Sequence, residues 1–270
     1  GRGRVADSGT MLRVLAYAAS LRLTVIAHPE DCGLTANAVA TAGETATRLG
    51  LASAPARAEA IAIARDLALV EETGAAIHFR QVTTAEGLSL VRAAKAAGLH
   101  VTCGITPAHL FLSDIAITDF RTFARLSPPL RSEADRQACL AAVADGTIDV
   151  LCSAHDPRGP EDKRLPFADA EAGMAGAETL LALGLGLVRD GVVTLPKLMA
   201  MLSANPARIL GVEGGSLAHG AAADLVLFDP GTPWIIDGEA FAGLAGNTPF
   251  NKLPTQGKAL QTFKGGRALA

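Results

Sequence analysis

Short apolar runs alternate with longer amphipathic stretches along most of the chain. The apolar runs that end in polar residues predict strands at Leu23–His28, Ala76–Val82, His100–Ile105 and Ile148–Ser153. The stretches between and after them repeat their apolar positions with a period of about 3.6 residues and predict helices at Ala56–Glu72, Ala85–Ala97, Ser132–Ala144, Ala177–Val188 and Leu195–Leu202. Alternating strands and helices are typical of a parallel sheet with right-handed crossover connections.

The segment after the last predicted helices has a clear local pattern. Pro206 suits the first turn of a helix, where its missing N–H costs nothing. We expect Asn205 to cap that helix and Gly211 to end it in the left-handed conformation. Gly220 then leads into the apolar strand Leu225–Phe228. Further β-structure is predicted near residues 217–236 and 258–269.

Composition and charge narrow the class of protein. The 270 residues are enough for an α/β domain with a large core. A formal net charge of −3 gives no reason to expect a nucleic acid or an anionic membrane as partner. The sequence contains neither a signal-peptide pattern nor an uncharged apolar run of membrane-spanning length.

The cysteines lie far apart and form no CxxC pair. This spacing argues against a zinc knuckle and against a framework of disulfides, and it favours a reduced, cytoplasmic setting. The residues concerned are Cys32, Cys103, Cys139 and Cys152.

Polar side chains gather where the predicted strands end, which is where an α/β barrel carries its chemistry. His28 ends the first strand and is followed by two carboxylates. A lone histidine is more often structural than a ligand, but this placement at a strand end favours a role as a ligand. The second strand ends with Arg80 and Gln81, and the last with His155 and Asp156. A histidine and an aspartate together at a strand end suit acid–base or ligand chemistry.

The order of these segments resembles dihydroorotases of the long, barrel-plus-β-domain type in the amidohydrolase superfamily. The stretch Ser203–Gly211 followed by Gly220–Asp229 resembles the end of the barrel in that superfamily. The closer resemblance to dihydroorotases lies in an ordered set of segments, His28–Asp31, Thr83-Thr84, Val101–Pro107 with His109, Ser127–Arg131 and Asn247–Phe250.

The resemblance implies a fold and an activity. The fold is the second half of an amidohydrolase-type (β/α) TIM barrel over residues 1–211, with the C-terminal β-strands of a small β-sandwich domain over residues 212–270. The activity is the interconversion of N-carbamoyl-aspartate and dihydroorotate in pyrimidine synthesis, usually with zinc. The implied protein acts on a small molecule, and we expect an oligomer.

The resemblance also assigns roles to single residues. His28 matches a metal ligand, and His155 matches a histidine that contacts the substrate. Ser127 stands where an asparagine usually helps to hold the substrate. Asp156 is the candidate catalytic carboxylate. If the last strand stays extended, its side chain lies on the same face as that of Ala154 and slightly further out.

Several positions depart from the family pattern. Gln81 replaces a metal histidine, Ala154 replaces the catalytic aspartate, and Gly104 and Ala108 replace a glutamate and a histidine. The paired histidines of the first barrel strand would precede Gly1. Because the sequence also begins without methionine, we expect it to be the C-terminal portion of a longer protein.

These departures leave two hypotheses open. In the first, the protein is a working dihydroorotase or a related cyclic-amide hydrolase with a reduced metal site. In the second, it is a non-catalytic homologue that supports aspartate carbamoyltransferase as a structural partner. Zinc is implied by the family, but catalytic zinc sites normally use three protein ligands. Since His28 is the only family ligand retained, tight zinc binding by this chain is not expected.

Overall fold

The structure, a computed structural model, describes residues 7–269. In chain order its strands are β1 Thr24–Ala27, β2 Ala40–Thr41, β3 Ser53–Ala54, β4 Ala76–Phe79, β5 Val101–Ile105, β6 Val150–Leu151, β7 Leu225–Ile235, β8 Pro254–Lys264 and β9 Arg267–Ala268. Its helices are α1 Ser8–Ser20, α2 Cys32–Thr35, α3 Glu44–Leu49, α4 Arg57–Thr73, α5 Ala85–Ala96, α6 Pro107–Phe111, α7 Glu133–Asp145, α8 Pro160–Arg164, α9 Leu180–Arg189, α10 Leu195–Met199 and α11 Asn205–Leu210. The start at Gly1 lies outside the described residues.

The main sheet is parallel, as the alternation of strands and helices predicts, and its order is β1-β4-β5-β6. Residues in register across the sheet point to the same side. Ala27, Phe79 and Cys103 are in register on the side covered by helices, where Phe79 and Cys103 are fully buried. Ile26 lies on the other side and is 52% exposed. Among the described residues, the sheet is therefore fully covered on one face only.

Four helices, α1, α4, α5 and α7, cover the buried face of the sheet, each packed against the next along the chain. They contribute Leu15, Ile63, Val91 and Val143, all of which are inaccessible to solvent. Each such side chain contributes about 1.5–3 kcal/mol on burial. This layer holds the strands rigidly, so the loops at their carboxyl ends start from fixed positions. Within residues 7–269 no helix has the length and apolar character needed to cross a membrane.

The C-terminal part forms an antiparallel sheet of β7, β8 and β9. Strand β8 packs against α9 and comes close to it at Gly257. Its φ is +103°, and a Cβ atom there would lie 2.4 Å from the Leu185 side chain. The predicted C-terminal β-structure is thus present. The division between residues 211 and 212 stays a prediction, although Gly211 ends α11 in the left-handed conformation, as expected.

The expected cap at Asn205 is wrong. The chain continues helically from α10 through a π-turn at Ala200–Ala204 into α11, so no helix begins at a free end there. The Asn205 side chain instead donates a hydrogen bond of 2.8 Å to the carbonyl of Asp149, beside β6. The π-turn changes which carbonyls the following N–H groups face, and Pro206 has no N–H to lose.

Expressed alone, these 270 residues should be marginally stable or should associate. Among residues 7–269 no strand pairs with the outer edges of β1 and β6, and Ile26 exposes an apolar side chain on the uncovered face. Open edges and apolar faces promote association. Sedimentation velocity over a range of concentrations, together with urea unfolding, checks this. A concentration-independent monomer that unfolds in one cooperative transition would contradict it.

Candidate functional site

A cavity of about 420 Å³ opens at the carboxyl ends of the parallel strands. It brings together three of the residues predicted for the site, Ser127, His155 and Asp156. His28 does not line it, but it contacts Arg80, which does. The other residues at its wall include Gln81, Thr106, His109, Cys152, Ser153, Ala154, Gly173 and Met174.

His28 lies between a guanidinium and a carboxylate. Its Nδ1 is 3.4 Å from Arg80 Nη2, which donates a long hydrogen bond, and its Nε2 is 3.3 Å from Glu30 Oε2. The second contact has ion-pair distance without the alignment of a good hydrogen bond. Because a guanidinium can only donate, Nδ1 accepts, and the ring proton of a neutral His28 is then on Nε2, facing Glu30.

The described residues do not fit a zinc ion at His28. Zinc binds a deprotonated ring nitrogen and normally takes three protein ligands. Within residues 7–269 no group of three or more histidine, cysteine or carboxylate side chains is placed to hold a metal ion. The Arg80 guanidinium also brings a positive charge to His28 Nδ1. The metal role of His28 therefore stays a prediction that its surroundings do not favour.

The last strand does not stay extended to Asp156. Strand β6 ends at Leu151, and Ala154 has a φ of +43°, in the left-handed region. Ala154 and Asp156 therefore do not follow the simple alternation of a strand, and the expectation that they share a face on that basis is wrong. His155 instead forms an isolated parallel bridge with Met174.

His155 is oriented by backbone donors. Its Nδ1 accepts hydrogen bonds of 3.3 Å from the N–H groups of Gly176 and Ala177. A neutral His155 therefore carries its proton on Nε2. This arrangement leaves Nε2 to meet a ligand, in keeping with the predicted role in substrate contact.

Asp156 is paired rather than free. Its Oδ2 accepts a hydrogen bond of 2.7 Å from Arg158 Nη2, and its carboxylate is 53% exposed. Its N–H donates to the carbonyl of Met174 at 2.9 Å. A Cβ atom at Gly173 would lie 2.3 Å from the Asp156 carbonyl, so this close approach requires glycine. One oxygen of the Asp156 carboxylate is thus engaged by Arg158.

Asn247 ties together the two loops around Asp156. Its Oδ1 accepts from the N–H of Arg158, and its Nδ2 donates to the carbonyl of Gly173, both at 3.0 Å. Asn247 is 3% exposed. Sequence reasoning placed it in a family segment without a role. Its role depends on contacts between the C-terminal segment and the loops at residues 158 and 173, which are far away in the sequence.

His109 supports the segment that carries Ser127. The peptide bond between Ser127 and Pro128 is cis. His109 Nε2 donates to the Pro128 carbonyl at 3.1 Å, and its Nδ1 accepts from Thr106 Oγ1 at 2.8 Å. Burial, and to a smaller extent the charge of Arg131, lowers the pKa of His109 to about 4. The ring is therefore neutral near pH 7, and its two hydrogen bonds link Thr106 to the Pro128 carbonyl.

A buried carboxylate, Glu59, anchors the loop after β4. It accepts hydrogen bonds from the backbone and hydroxyl groups of Thr83 and Thr84 at 2.5–2.9 Å. Arg131 Nη2 lies 3.4 Å from its Oε2, and Arg131 Nε donates to Thr83 Oγ1 at 2.9 Å. Glu59 and Arg131 are 1% and 6% exposed. The sequence analysis missed Glu59. The signal was the pair Thr83-Thr84 at a strand end, because their hydroxyl groups require acceptors when they are buried.

The stability of the protein should fall as the pH drops below about 6.5. The pKa of His109 is about 4 in the folded state and 6.5 in its ordinary state, so the unfolded chain binds more protons within this window. The loss attributable to His109 between pH 7 and 5 is about 2 kcal/mol. Urea unfolding at both pH values, compared with His109→Gln, checks this. An equal pH dependence in the two proteins would show that His109 is not responsible.

The protein should not hold zinc through His28. Metal analysis after dialysis should find no zinc that depends on His28, because both ring nitrogens face other groups. His28→Ala should leave the metal content unchanged, as should the control His219→Ala, which alters an exposed histidine. Stoichiometric zinc that survives dialysis and disappears in His28→Ala would contradict the prediction.

The model of the amidohydrolase family matches residues 3–269. A dihydroorotase from Syntrophus aciditrophicus (strain SB) is 41% identical over 263 residues, which is 97% of this chain and 62% of the relative. A dihydroorotase-like protein from Pseudomonas aeruginosa is 44% identical over 245 residues, 91% of this chain and 58% of the relative. The chain thus spans less than two thirds of the length of these relatives.

A solved structure agrees with the family match. The L-hydantoinase (dihydropyrimidinase) from Arthrobacter aurescens superposes with a TM-score of 0.89 at 25% identity, covering 100% of this chain and 62% of the hydantoinase. The dihydropyrimidinase from Brevibacillus agri NCHU1002 gives a TM-score of 0.87 at 24% identity and shows the shared fold, with 98% of this chain and 60% of that protein covered. The parallel sheet with its C-terminal antiparallel sheet fits this α/β architecture. Both the predicted fold class and the predicted resemblance are confirmed, and the chain belongs to the amidohydrolase family.

Proposed function

We propose that this chain works as a dihydroorotase-like protein of pyrimidine biosynthesis, in the class of hydrolases that open and close cyclic amides. The relatives named dihydroorotase, 41% and 40% identical over 97% and 98% of the chain, support this class. The observation that carries the proposal is the cavity of about 420 Å³ that gathers Ser127, His155 and Asp156 at the strand ends. Its size suits a small cyclic amide.

His155 and Ser127 are the proposed substrate-binding residues. His155 presents Nε2 while its Nδ1 is held by backbone N–H groups, and Ser127 offers a hydroxyl from a segment supported by His109. Opening the ring breaks its amide C–N bond and adds water, and closing it reverses both changes. A hydroxyl and an N–H donor can orient the ring carbonyls during either direction.

Asp156 is the proposed proton carrier. Proton transfer requires its carboxylate within about 2.6–3.2 Å of the reacting group. In the structure the carboxylate pairs with Arg158 through Oδ2 and is half exposed. The family generally uses zinc to polarise the amide carbonyl and activate water. The described residues do not fit zinc at His28.

A second candidate function is that of a non-catalytic homologue that supports aspartate carbamoyltransferase. The names of the relatives do not favour it. One observation does, namely the contact of Arg80 with His28, together with Gln81 and Ala154 at positions where the family carries a histidine and an aspartate. In either case a small-molecule ligand and an oligomeric assembly are part of the proposal.

Dihydroorotate hydrolysis and the reverse cyclisation by the full-length protein test the proposal. We expect turnover, and a fall in kcat of about 10²–10⁴-fold in Asp156→Ala, the usual contribution of a general acid–base residue. Asp190→Ala is the control, since it removes an exposed carboxylate at the end of α9.

The outcomes separate the two candidates. If the unmodified protein has no turnover and the double variant Gln81→His/Ala154→Asp gains it, the non-catalytic function is supported. If the unmodified protein is active and Asp156→Ala keeps full activity, the protein is an enzyme with another base, and the role given to Asp156 is wrong.

A further inference from the structure

We propose that Arg80 is the anion-binding residue of the cavity and makes it selective for a ring that bears a carboxylate over the same ring without one. This inference rests on the proposed function, because it names the chemical class of the ligand at that site. No role is assigned to Arg80 by the family resemblance, in which the neighbouring position, Gln81, matches a metal ligand.

The backbone of Arg80 is fixed from two sides. Its N–H donates to the carbonyl of Ala27 at 2.8 Å, which continues the pairing of β4 with β1. Its carbonyl faces β5 and β6, where it accepts a long contact of 3.7 Å from Cys152 Sγ. The side chain therefore leaves a rigid strand end and not a mobile loop. A ligand that binds the Arg80 guanidinium therefore contacts a side chain whose backbone is fixed.

Glycine at position 104 makes this placement possible. A Cβ atom on Gly104 would lie 2.7 Å from the Arg80 carbonyl oxygen, closer than real Cβ atoms approach backbone. The strand end of β4 can occupy its present position only while residue 104 has no side chain. One departure from the family pattern, Gly104, thus lies against the residue that precedes another, Gln81.

No carboxylate of the described residues neutralises the charge of Arg80. Among residues 7–269 no carboxylate lies within ion-pair distance of its guanidinium, whose side-chain hydrogen bond in this part of the chain is to His28 Nδ1 at 3.4 Å. Asp156, the carboxylate that lines the same cavity, is already paired with Arg158 at 2.7 Å. Ser127, Thr106 and Gln81 are uncharged, and His109 is neutral. The cavity therefore presents a net positive group to its ligand.

The guanidinium suits a carboxylate in particular. It has five N–H donors in a planar fork that matches the two oxygens of a carboxylate. The contact with His28 uses one N–H and restricts the plane of the fork, which leaves the other donors for a ligand. Arg80 is an exposed residue at the wall of the cavity, so a ligand reaches it without a rearrangement of the core. Dihydroorotate carries such a carboxylate, whereas dihydrouracil has the same ring without it.

Calorimetric titration of the full-length protein with these two compounds tests the inference. We expect dihydroorotate to bind at least tenfold more tightly than dihydrouracil. Arg80→Gln should weaken dihydroorotate binding by about 10–100-fold, the usual worth of a hydrogen bond to a charged group, and should change dihydrouracil binding by less than about twofold. Arg80→Lys, which keeps the charge without the fork, should fall between. Arg57→Gln, which removes an exposed arginine paired with Glu86, is the matched control and should change neither.

Each contrary outcome has its own meaning. Equal affinity of the unmodified protein for both rings would overturn the anion-binding role while the proposed function stands. An equal loss for both rings in Arg80→Gln would show that Arg80 only shapes the cavity, and no loss would show that it does not bind the ligand. If neither ring binds the unmodified protein, the proposed function fails and the inference fails with it.

Discussion

The buried charge of Glu59 is the constraint on which the cavity walls depend. A carboxylate inside a protein must be satisfied by hydrogen bonds or by an opposite charge, because its desolvation is otherwise too costly. Thr83, Thr84 and Arg131 meet this requirement, and in doing so they join the loop after β4 to the segment that carries Ser127. The loop that follows Arg80 and the opposite wall of the cavity are thus held by one group that never reaches the cavity.

Much of the fold could be predicted because its signals are local. The apolar runs in the sequence predict most of β1, β4 and β5. The stretches with a helical period predict most of α4, α5 and α7. The cap expected at Asn205 failed because the helix before it continues through a π-turn, which tertiary packing decides. The early end of β6 and the left-handed Ala154 were missed for the same reason, since neither has a marker in the neighbouring residues.

The candidate site could be predicted in part. His155 and Asp156 were candidates because strand ends converge in an α/β barrel, and Ser127 was a candidate through the family resemblance. All three line one cavity, and their roles stay predictions. Two contacts could not be predicted from the sequence, because they join residues far apart in the chain. Glu59 and Arg131 are 72 positions apart, and His28 and Arg80 are 52 apart. The second pair follows from the register, since Ala27 pairs with Phe79 and the next residues on each strand are His28 and Arg80. Once the strand order is known, that contact is expected.

The lack of a side chain at Gly104 has a consequence for the order in which this sequence can change. A larger residue there is compatible only with a different backbone position for the end of β4, because the atom that it would clash with is the carbonyl oxygen of residue 80, which every residue type carries. Of two routes back to the family pattern, one that changes position 104 first passes through a strained intermediate. A route that first alters the end of β4 does not. Position 104 is thus coupled to the backbone of β4 and not to the side chain of residue 80, and this sets the order of steps in any attempt to restore the family pattern.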